Sequence, residues 1–516
     1  MYFPKPLLAV ISAILFLTLS ARANKLEPEG GVLQLVKDEP RFTFEYETRD
    51  PHHKNWIGLY FEAGQGLIPN WGEQYTKNSV SWAYAPKRKG RVTIKTEGLK
   101  PGQYTAFFHA RDKYAWLAPP FHVFITKKEE QDLEFVVDEI TLPDARGGDD
   151  YIATVAGLIR GGNKGVKFYD GTPLPNWLWL RTDGTISGRP YRLSKEAEFV
   201  VWAKRGNSLA SLKVKLGVRS RTEIKVPQLR VMTYNLWSGG ERFNDYHDKQ
   251  LRFIVNSKAD IVGLQEDSSG ERVKALAKAL GWHYWASKVS ESILSKYPIQ
   301  VTSGEINRSG GARIELDGDW QTVNFWVAHL NYKPYGPYDF CYSGMRADKV
   351  MQREYDSGRP TQIEDTLKAM KYDLRTADIE PLFLVGDFNA PSHLDWTDRR
   401  KKKNCGQGRF NWPTSTKPTE AGMIDSYREV HPDPDQDEGI TYGPVTPWNK
   451  DWGKEEPMER LDFIYYKGAG VEVVDSWVMT PPKSRHPLDE WTSDHSAVMT
   501  LFNLTEVDGE IGELRK

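Results

Sequence analysis

Cysteine is scarce in this 516-residue chain, with only Cys341 and Cys405, which excludes a small scaffold built on disulfides. No cluster of Cys and His has the spacing of a zinc site. An excess of one charge is missing as well: 69 Lys and Arg face 70 Asp and Glu, for a formal net charge of -1. No global field therefore draws the chain to nucleic acid or an anionic membrane, and any such affinity must be local. Beyond the first two dozen residues no apolar run approaches the roughly 20 residues that cross a bilayer, so no integral membrane segment is expected.

What is present begins with "MYFPKPLLAVISAILFLTLSARANK". A Lys precedes an apolar run from Leu7 to Leu19, and Ala21-Arg22-Ala23 forms an A-x-A cleavage signal. The run is short for a membrane anchor and reads as a secretory signal peptide over residues 1–23, with a secreted, extracellular chain starting near Asn24. In that oxidising setting Cys341 and Cys405 could pair. The sequons at Asn307 and Asn503 are compatible with glycosylation. The length predicts several domains. Aromatics at 12%, with 43 Gly and 31 Pro, favour sheets with many turns over a helical bundle.

Three segments follow. Residues 24–130 alternate apolar and polar positions in short runs such as "RFTFEYETRD", "VSWAYAP" and "QYTAFFHA", separated by Gly and Pro, which reads as an antiparallel sandwich. The order "KNWIGLYF", "SVSWAYAP", "GLKPGQYTAFFHARDKY" and "PPFHVFI" resembles the Ig-like SKICH-type module found beside some inositol phosphatases. Residues 131–222 read as a second all-β unit, and "PLPNWLWLRTDGTISGRP" resembles the hairpin signature of another Ig-like domain. No chemistry is assigned before residue 225, and "RSRTEIKVPQ" reads as a linker. Residues 226–506 alternate strand and helix patterns and predict a layered α/β domain, with residues 507–516 as a tail. The expected fold is thus multidomain: two all-β sandwiches, then an α/β sandwich.

In that last segment the apolar runs end on residues with chemistry: Asn235, Glu266, His329, Asp387 with Asn389, Asp462, and Asp494 with His495. Each alone reads equally as a turn residue or a bonded core group. Together they are costly inside a sheet unless paired. Carboxylates, amides and imidazoles suit a hard cation such as Mg2+, with Mn2+ as the alternative. They also supply what phosphodiester hydrolysis needs: charge neutralisation, a proton acceptor for water, and donors to the phosphate oxygens.

The order "TYNLW", "DIVGLQE", "SILSKYPI", "VAHLN", "VGDFNAP", "RLDFIYY" and "SDHSAV" resembles the endonuclease/exonuclease/phosphatase superfamily over residues 229–503. The resemblance implies a four-layer α/β sandwich with its site at one edge of two packed sheets. It implies Glu266 as main metal ligand, with Asn235 beside it and Asp494 completing the metal environment. His495 would be general base or orient the water, held by Asp462. His329 would donate to the phosphate, Asp387 would position the nucleophile or the leaving-group proton, and Asn389 would bond a phosphate oxygen. Some members support the counterpart of His329 with a Glu, for which Glu291 is the nearby candidate. Asp425 also falls at a recurring position, with turn structure as the plainer reading.

The substrate stays open among phospholipid, inositol phosphate and nucleic acid. Tyr332, Tyr335, Tyr338 and Tyr342 lie where relatives place substrate loops, and so does "DRRKKKN" (398–404); loop packing and a solvated loop are the plainer readings of each. Cys341 and Cys405 would staple these loops. The functional expectation is a secreted, monomeric, metal-dependent phosphate-ester hydrolase. The alternative is an inactive binding or adhesion protein that works through its β domains.

Overall fold

The computed structural model describes residues 31–35, 42–61, 79–95, 99–100, 102–118, 120–125, 133–191, 196–449, 451–480 and 491–505. The signal peptide and the tail expected from the sequence lie outside these residues. The described chain falls into two compact units. The first takes in the residues up to Gly58 with Trp82–Ile94 and those of Phe107–Pro120, and the rest belongs to the second.

The first unit carries an antiparallel sheet of Val32–Leu35, Thr43–Glu47 and Lys89–Thr93, in that spatial order. Alternation places Phe44 and Tyr46 in its interior, and the Tyr46 ring meets Phe108 edge-on at 5.1 Å.

The second unit opens with β structure. A four-stranded sheet holds Lys167–Asp170, Ala197–Arg205, Ser208–Arg219 and Glu139–Arg146 in that order. Along Ala197–Arg205 the buried positions are every second residue, as a half-buried strand requires, and Gly206, at a φ of 60°, makes the tight return to Ser208. A three-stranded sheet of Leu178–Leu180, Thr185–Gly188 and Tyr151–Thr154 accompanies it.

The α/β part begins at Gln228, and its strands and helices are numbered from there. One six-stranded sheet contains β1 (Gln228–Asn235), β2 (Ile261–Gln265), β3 (His283–Ala286) and β4 (Ser292–Ser295), together with β11 (Val471–Met479) and β12 (Ala497–Leu504), in the order β3-β4-β2-β1-β12-β11. The other contains β5 (Ile299–Ile306), β6 (Ser309–Glu315), β7 (Thr322–His329), β8 (Leu382–Asp387), β9 (Ile424–Asp425) and β10 (Asp462–Lys467), in the order β5-β6-β7-β8-β10-β9. Central strands such as "IVGLQ" and "LFLVGD" are buried along their whole length because both of their faces are covered.

The sheets pack face to face through Val231, Ile261, Ile293, Phe325, Val327, Phe383, Val385 and Phe502. Gly263 of β2 is part of that fit, since a Cβ there would lie 2.3 Å from Val385 Cγ2. Outside the first sheet lie α1 (Tyr246–Ser257) and α2 (Glu271–Leu280), which turn Leu251, Ile254, Val273 and Leu276 inward. Outside the second lie α5 (Arg359–Ala369) and α6 (Lys371–Thr376), with Ile363 and Met370 buried beneath them. Between β7 and α5 the chain forms α3 (Gly336–Cys341) and α4 (Ala347–Asp356), and after β8 it forms α7 (Pro413–Glu420) and α8 (Ser426–Val430). Layers of helix, sheet, sheet and helix are the four-layer sandwich expected from the sequence.

Candidate active site

Register decides which residues can meet. In the second sheet His329 pairs with Asp387 across parallel strands, and Asp387 pairs with Asp462 across antiparallel ones, so the three stand abreast at one edge. In the first sheet Asn235 is level with Gln265, which puts Glu266 just beyond the same edge. The start of β12 runs antiparallel to β1, and the Ser493 hydroxyl donates to the Asn235 carbonyl at 2.6 Å, which draws Asp494 and His495 to that edge too.

The two sheets are joined there by side chains. Asn235 Nδ2 donates to Asp387 Oδ2 at 3.0 Å and to Glu266 Oε1 at 3.3 Å. Its Oδ1 accepts the Trp237 amide, and Glu266 Oε2 accepts the Ser238 amide at 2.6 Å. Glu266 itself sits at a φ of 58°, a left-handed conformation that costs a non-glycine residue about 1–3 kcal/mol and turns its carboxylate away from the strand.

Asp387 is buried between two imidazoles, with Oδ2 lying 3.9 Å from His329 Nε2 and 3.7 Å from His495 Nε2. Its Oδ1 accepts the Asn389 amide at 2.8 Å. Burial pushes this carboxyl above its ordinary pKa and Asp462 adds to the effect, while the two imidazoles oppose it. His495 Nδ1 donates to Asp462 Oδ2 at 2.9 Å, which fixes the tautomer and aims Nε2 at Asp387. Burial pulls the His495 pKa down, but Asp462 and Asp387 outweigh it and hold the ring well above its usual value. Asp494 is pushed up to about 7 by burial, with Glu266 raising it further against the pull of His495.

His329 is held differently from the expectation. Its Nδ1 lies 2.8 Å from Ser290 Oγ, whose hydroxyl donates to Glu291 Oε1 at 3.0 Å. The hydroxyl proton is committed to the carboxylate, so Ser290 accepts from His329 Nδ1. Glu291 therefore reaches the imidazole through Ser290. Asn389, at a φ of 49°, spends one amide proton on the Leu330 carbonyl, 3.0 Å away. Asp425 stands apart from this group: it caps α8 through the Tyr427 and Arg428 amides and pairs with Arg460 at 2.8 Å.

The loops expected to meet substrate are tied down. Cys341 and Cys405 form a disulfide. Within the basic run, Arg399 pairs with Asp433, and Arg400 and Lys403 both pair with Glu438, so these cations serve the loop's own fold. Four of the tyrosine and tryptophan rings make a continuous wall. Tyr335 meets Tyr338 at 4.7 Å, Tyr338 stacks on Tyr342 at 5.0 Å, and Tyr342 meets Trp452 at 5.2 Å. Tyr442 links this wall to the site, with its ring 5.1 Å from His495 and 6.5 Å from Tyr335. Tyr332 is exposed.

The eight strand-end residues singled out in the sequence, Asn235, Glu266, His329, Asp387, Asn389, Asp462, Asp494 and His495, thus lie along one edge. Asn389 joins them through its backbone amide on Asp387 Oδ1. Sequence reading missed Ser290, Thr441 and Tyr442. Ser290 adjoins the Glu291 already singled out, which is a usable signal. Thr441 receives the Leu461 and Asp462 amides at 3.0 and 3.2 Å, and nothing in "GITYGP" announces that role.

Residues 232–495 match the sequence pattern of the Endonuclease/Exonuclease/phosphatase family. An uncharacterized protein of Caenorhabditis elegans, F14F9.5, is 32% identical over 291 residues, 53% of this chain and 91% of the relative. Solved structures to which the chain is similar include an AP endonuclease from Archaeoglobus fulgidus, at 18% identity over 54% of this chain and 100% of that one, with a TM-score of 0.37. The human Nocturnin catalytic domain with bound sulfate is similar at 16% identity over 54% of this chain and 95% of that one, with a TM-score of 0.35.

Proposed function

The chain belongs to the endonuclease/exonuclease/phosphatase family, and from that premise we propose that it is a secreted, Mg2+-dependent hydrolase of phosphate esters. The observation that carries the reading is the meeting of Asn235, His329, Asp387, Asp462 and His495, from five strands or strand ends in two sheets, around the buried Asp387 carboxylate.

A divalent cation fits the residues present. Asp494 Oδ1 is buried and has no hydrogen-bond partner among the described residues, and burial, with Glu266 adding to it, raises the pKa of its carboxyl. Such an oxygen beside Glu266 is what a hard cation would satisfy. Glu266 and Asp494 would hold the ion, with Asn235 adjoining. When bound, Mg2+, or Mn2+ in its place, neutralises phosphate charge and stabilises the charge that builds in the transition state.

The chain's own groups supply the rest. Water attacks phosphorus as the bond to the leaving oxygen breaks. The water proton passes to the His495–Asp387 pair, which faces one point with Nε2 and Oδ2 3.7 Å apart. Asp462 orients the imidazole and stabilises its charged form. His329, oriented through Ser290 and Glu291, presents Nε2 to a phosphate oxygen, and Asn389 has a second amide proton for another. The chemistry of this edge sets the scissile group; phospholipid, inositol phosphate and nucleic acid all carry it.

Hydrolysis of bis-p-nitrophenyl phosphate is the direct test. Turnover with Mg2+ that EDTA abolishes supports the proposal, and no turnover with either Mg2+ or Mn2+ sinks it. A panel of DNA, sphingomyelin and inositol phosphates then selects the substrate. Secretion rests on the N-terminal pattern: amino-terminal sequencing of exported protein should begin near Asn24, and an intact Met1 in the medium would contradict it.

A further inference from the structure

The loop that follows β1 is unusually constrained. Trp237, Ser238, Gly239 and Gly240 all have positive φ, at 50°, 54°, 67° and 79°. A tryptophan in the left-handed region is an outlier that its surroundings must impose. They do so here: the Asn235 side chain holds the Trp237 amide, Glu266 holds the Ser238 amide with its carboxylate and the Gly239 amide with its carbonyl, and Gln250 donates to the Gly239 carbonyl at 3.0 Å. Two of the residues that strap the loop are the proposed metal residues themselves.

The same loop carries Arg242. Its guanidinium lies over the strained Trp237 ring, with Cζ 5.1 Å from the ring centroid. Its Nε is buried and has no hydrogen-bond partner among the described residues. Three buried arginines of the α/β part are neutralised, Arg359 by Glu354, Arg428 by Asp395, and Arg460 by Asp395 and Asp425, whereas the buried Arg272 is held by Gln250 and His247 and also leaves its Nε without a partner among the described residues. Arg242 follows the loop that Asn235 and Glu266 strap, and it lies over Trp237, whose amide Asn235 holds, so the charge stands at the site's edge. A partly buried guanidinium with an unsatisfied donor, placed by an aromatic ring and a strained loop, is a preformed receptor for an oxyanion.

We propose that Arg242 is a phosphate-binding residue that contacts a non-bridging oxygen of the substrate and of the phosphate product, with a preference for the dianionic, terminal phosphate. This rests on the phosphate-ester reading of the same site, and it adds a residue from outside the set that the family resemblance supplied. Trp237 is a positioning residue for it.

The test compares wild type with Arg242→Ala and Arg242→Lys in the presence of Mg2+. Binding of inorganic phosphate is measured by calorimetry, and steady-state kinetics are measured with p-nitrophenyl phosphate and bis-p-nitrophenyl phosphate. Arg242→Ala should weaken phosphate binding about tenfold or more and raise KM for the monoester by a similar factor, with a smaller rise for the diester and kcat within about threefold. Arg242→Lys should recover part of the binding, since it keeps the charge and loses the fork. Unchanged phosphate affinity overturns the proposal, and so does an equal loss of kcat on both esters with KM unmoved. Wild-type protein that binds phosphate but turns over neither ester would refute the hydrolase reading and leave the Arg242 contact measurable by calorimetry alone.

Discussion

At the scale of single residues the site is a set of proton positions. The His495 imidazole has Asp462 on one side and Asp387 on the other, so its loss breaks the His495–Asp387 pair that handles the water proton and removes the charge that offsets two buried carboxylates. His495→Ala is expected to lower kcat at least 10²-fold while circular dichroism stays native; turnover near wild type would refute the assignment. The Ser290 link is testable in the same way. Ser290→Ala leaves His329 and Glu291 in place but breaks the chain between them, and should cost about 10- to 100-fold in kcat/KM. An effect confined to thermal stability would mean that Ser290 only packs.

Glu459 makes a residue-scale prediction about pH. It is buried, accepts from Trp396 Nε1 at 3.1 Å, and burial pushes its pKa up to about 8. In the unfolded chain the same carboxyl ionises near its ordinary value of 4.5. The folded state therefore binds the proton more tightly. The stability this proton confers is complete below about pH 4.5 and is lost as pH rises through 8. Glu459→Gln should flatten that decline in urea titrations across the window, and an unchanged slope would show that the carboxyl is already ionised at neutral pH.

At the scale of elements, the loops around the site owe their order to covalent and aromatic ties. The disulfide closes 64 residues of sequence between α3 and the basic run. Replacing both cysteines by serine is expected to cost about 2–4 kcal/mol, read as a fall in the denaturation midpoint. The aromatic wall from Tyr335 to Trp452 hangs on the same segment, so fluorescence from Trp452 should change with it. Thiols that react freely in the untreated protein would contradict the pairing.

At the scale of the molecule, the β structure of residues 133–219 shares a core with the α/β part. Val155, Leu158 and Val136 are buried in one cluster with Leu251, Ile254, Leu276 and Leu280 of α1 and α2. The contact with α2 is so close that a Cβ on Gly157 would lie 2.2 Å from the Ala279 carbonyl oxygen. Polar ties reinforce it: Arg252 donates to the Val136 carbonyl at 2.7 Å, and Arg146 pairs with Asp317. A chain starting near residue 224 leaves this apolar face of α1 and α2 in water. It should aggregate or melt well below a chain that starts at 133. Equal melting temperatures for the two would show that the β structure is only appended.

Much of this was legible in the sequence, for reasons that differ by residue. The strands "IVGLQ" and "LFLVGD" announce themselves because burial on both faces demands unbroken apolar runs, and the polar residue that ends each run marks the edge of the sheet. His329, Asp387 and Asp462 could be listed in this way as candidates. That they stand abreast follows from strand order and register, and 58 and 75 residues separate them along the chain.

What the sequence determined by itself was local: which segments become strands, where each ends, and which side chains wait at those ends, because hydrophobic periodicity and chain-breaking residues act over a few positions. Tertiary structure alone decided the rest. It placed Asp387 between two imidazoles, gave His329 its tie through Ser290, turned the basic run onto its own acidic neighbours, and left Arg242 Nε without a hydrogen-bond partner among the described residues. These outcomes depend on distances between residues far apart in the chain, and such distances exist only once the sheets have closed on each other.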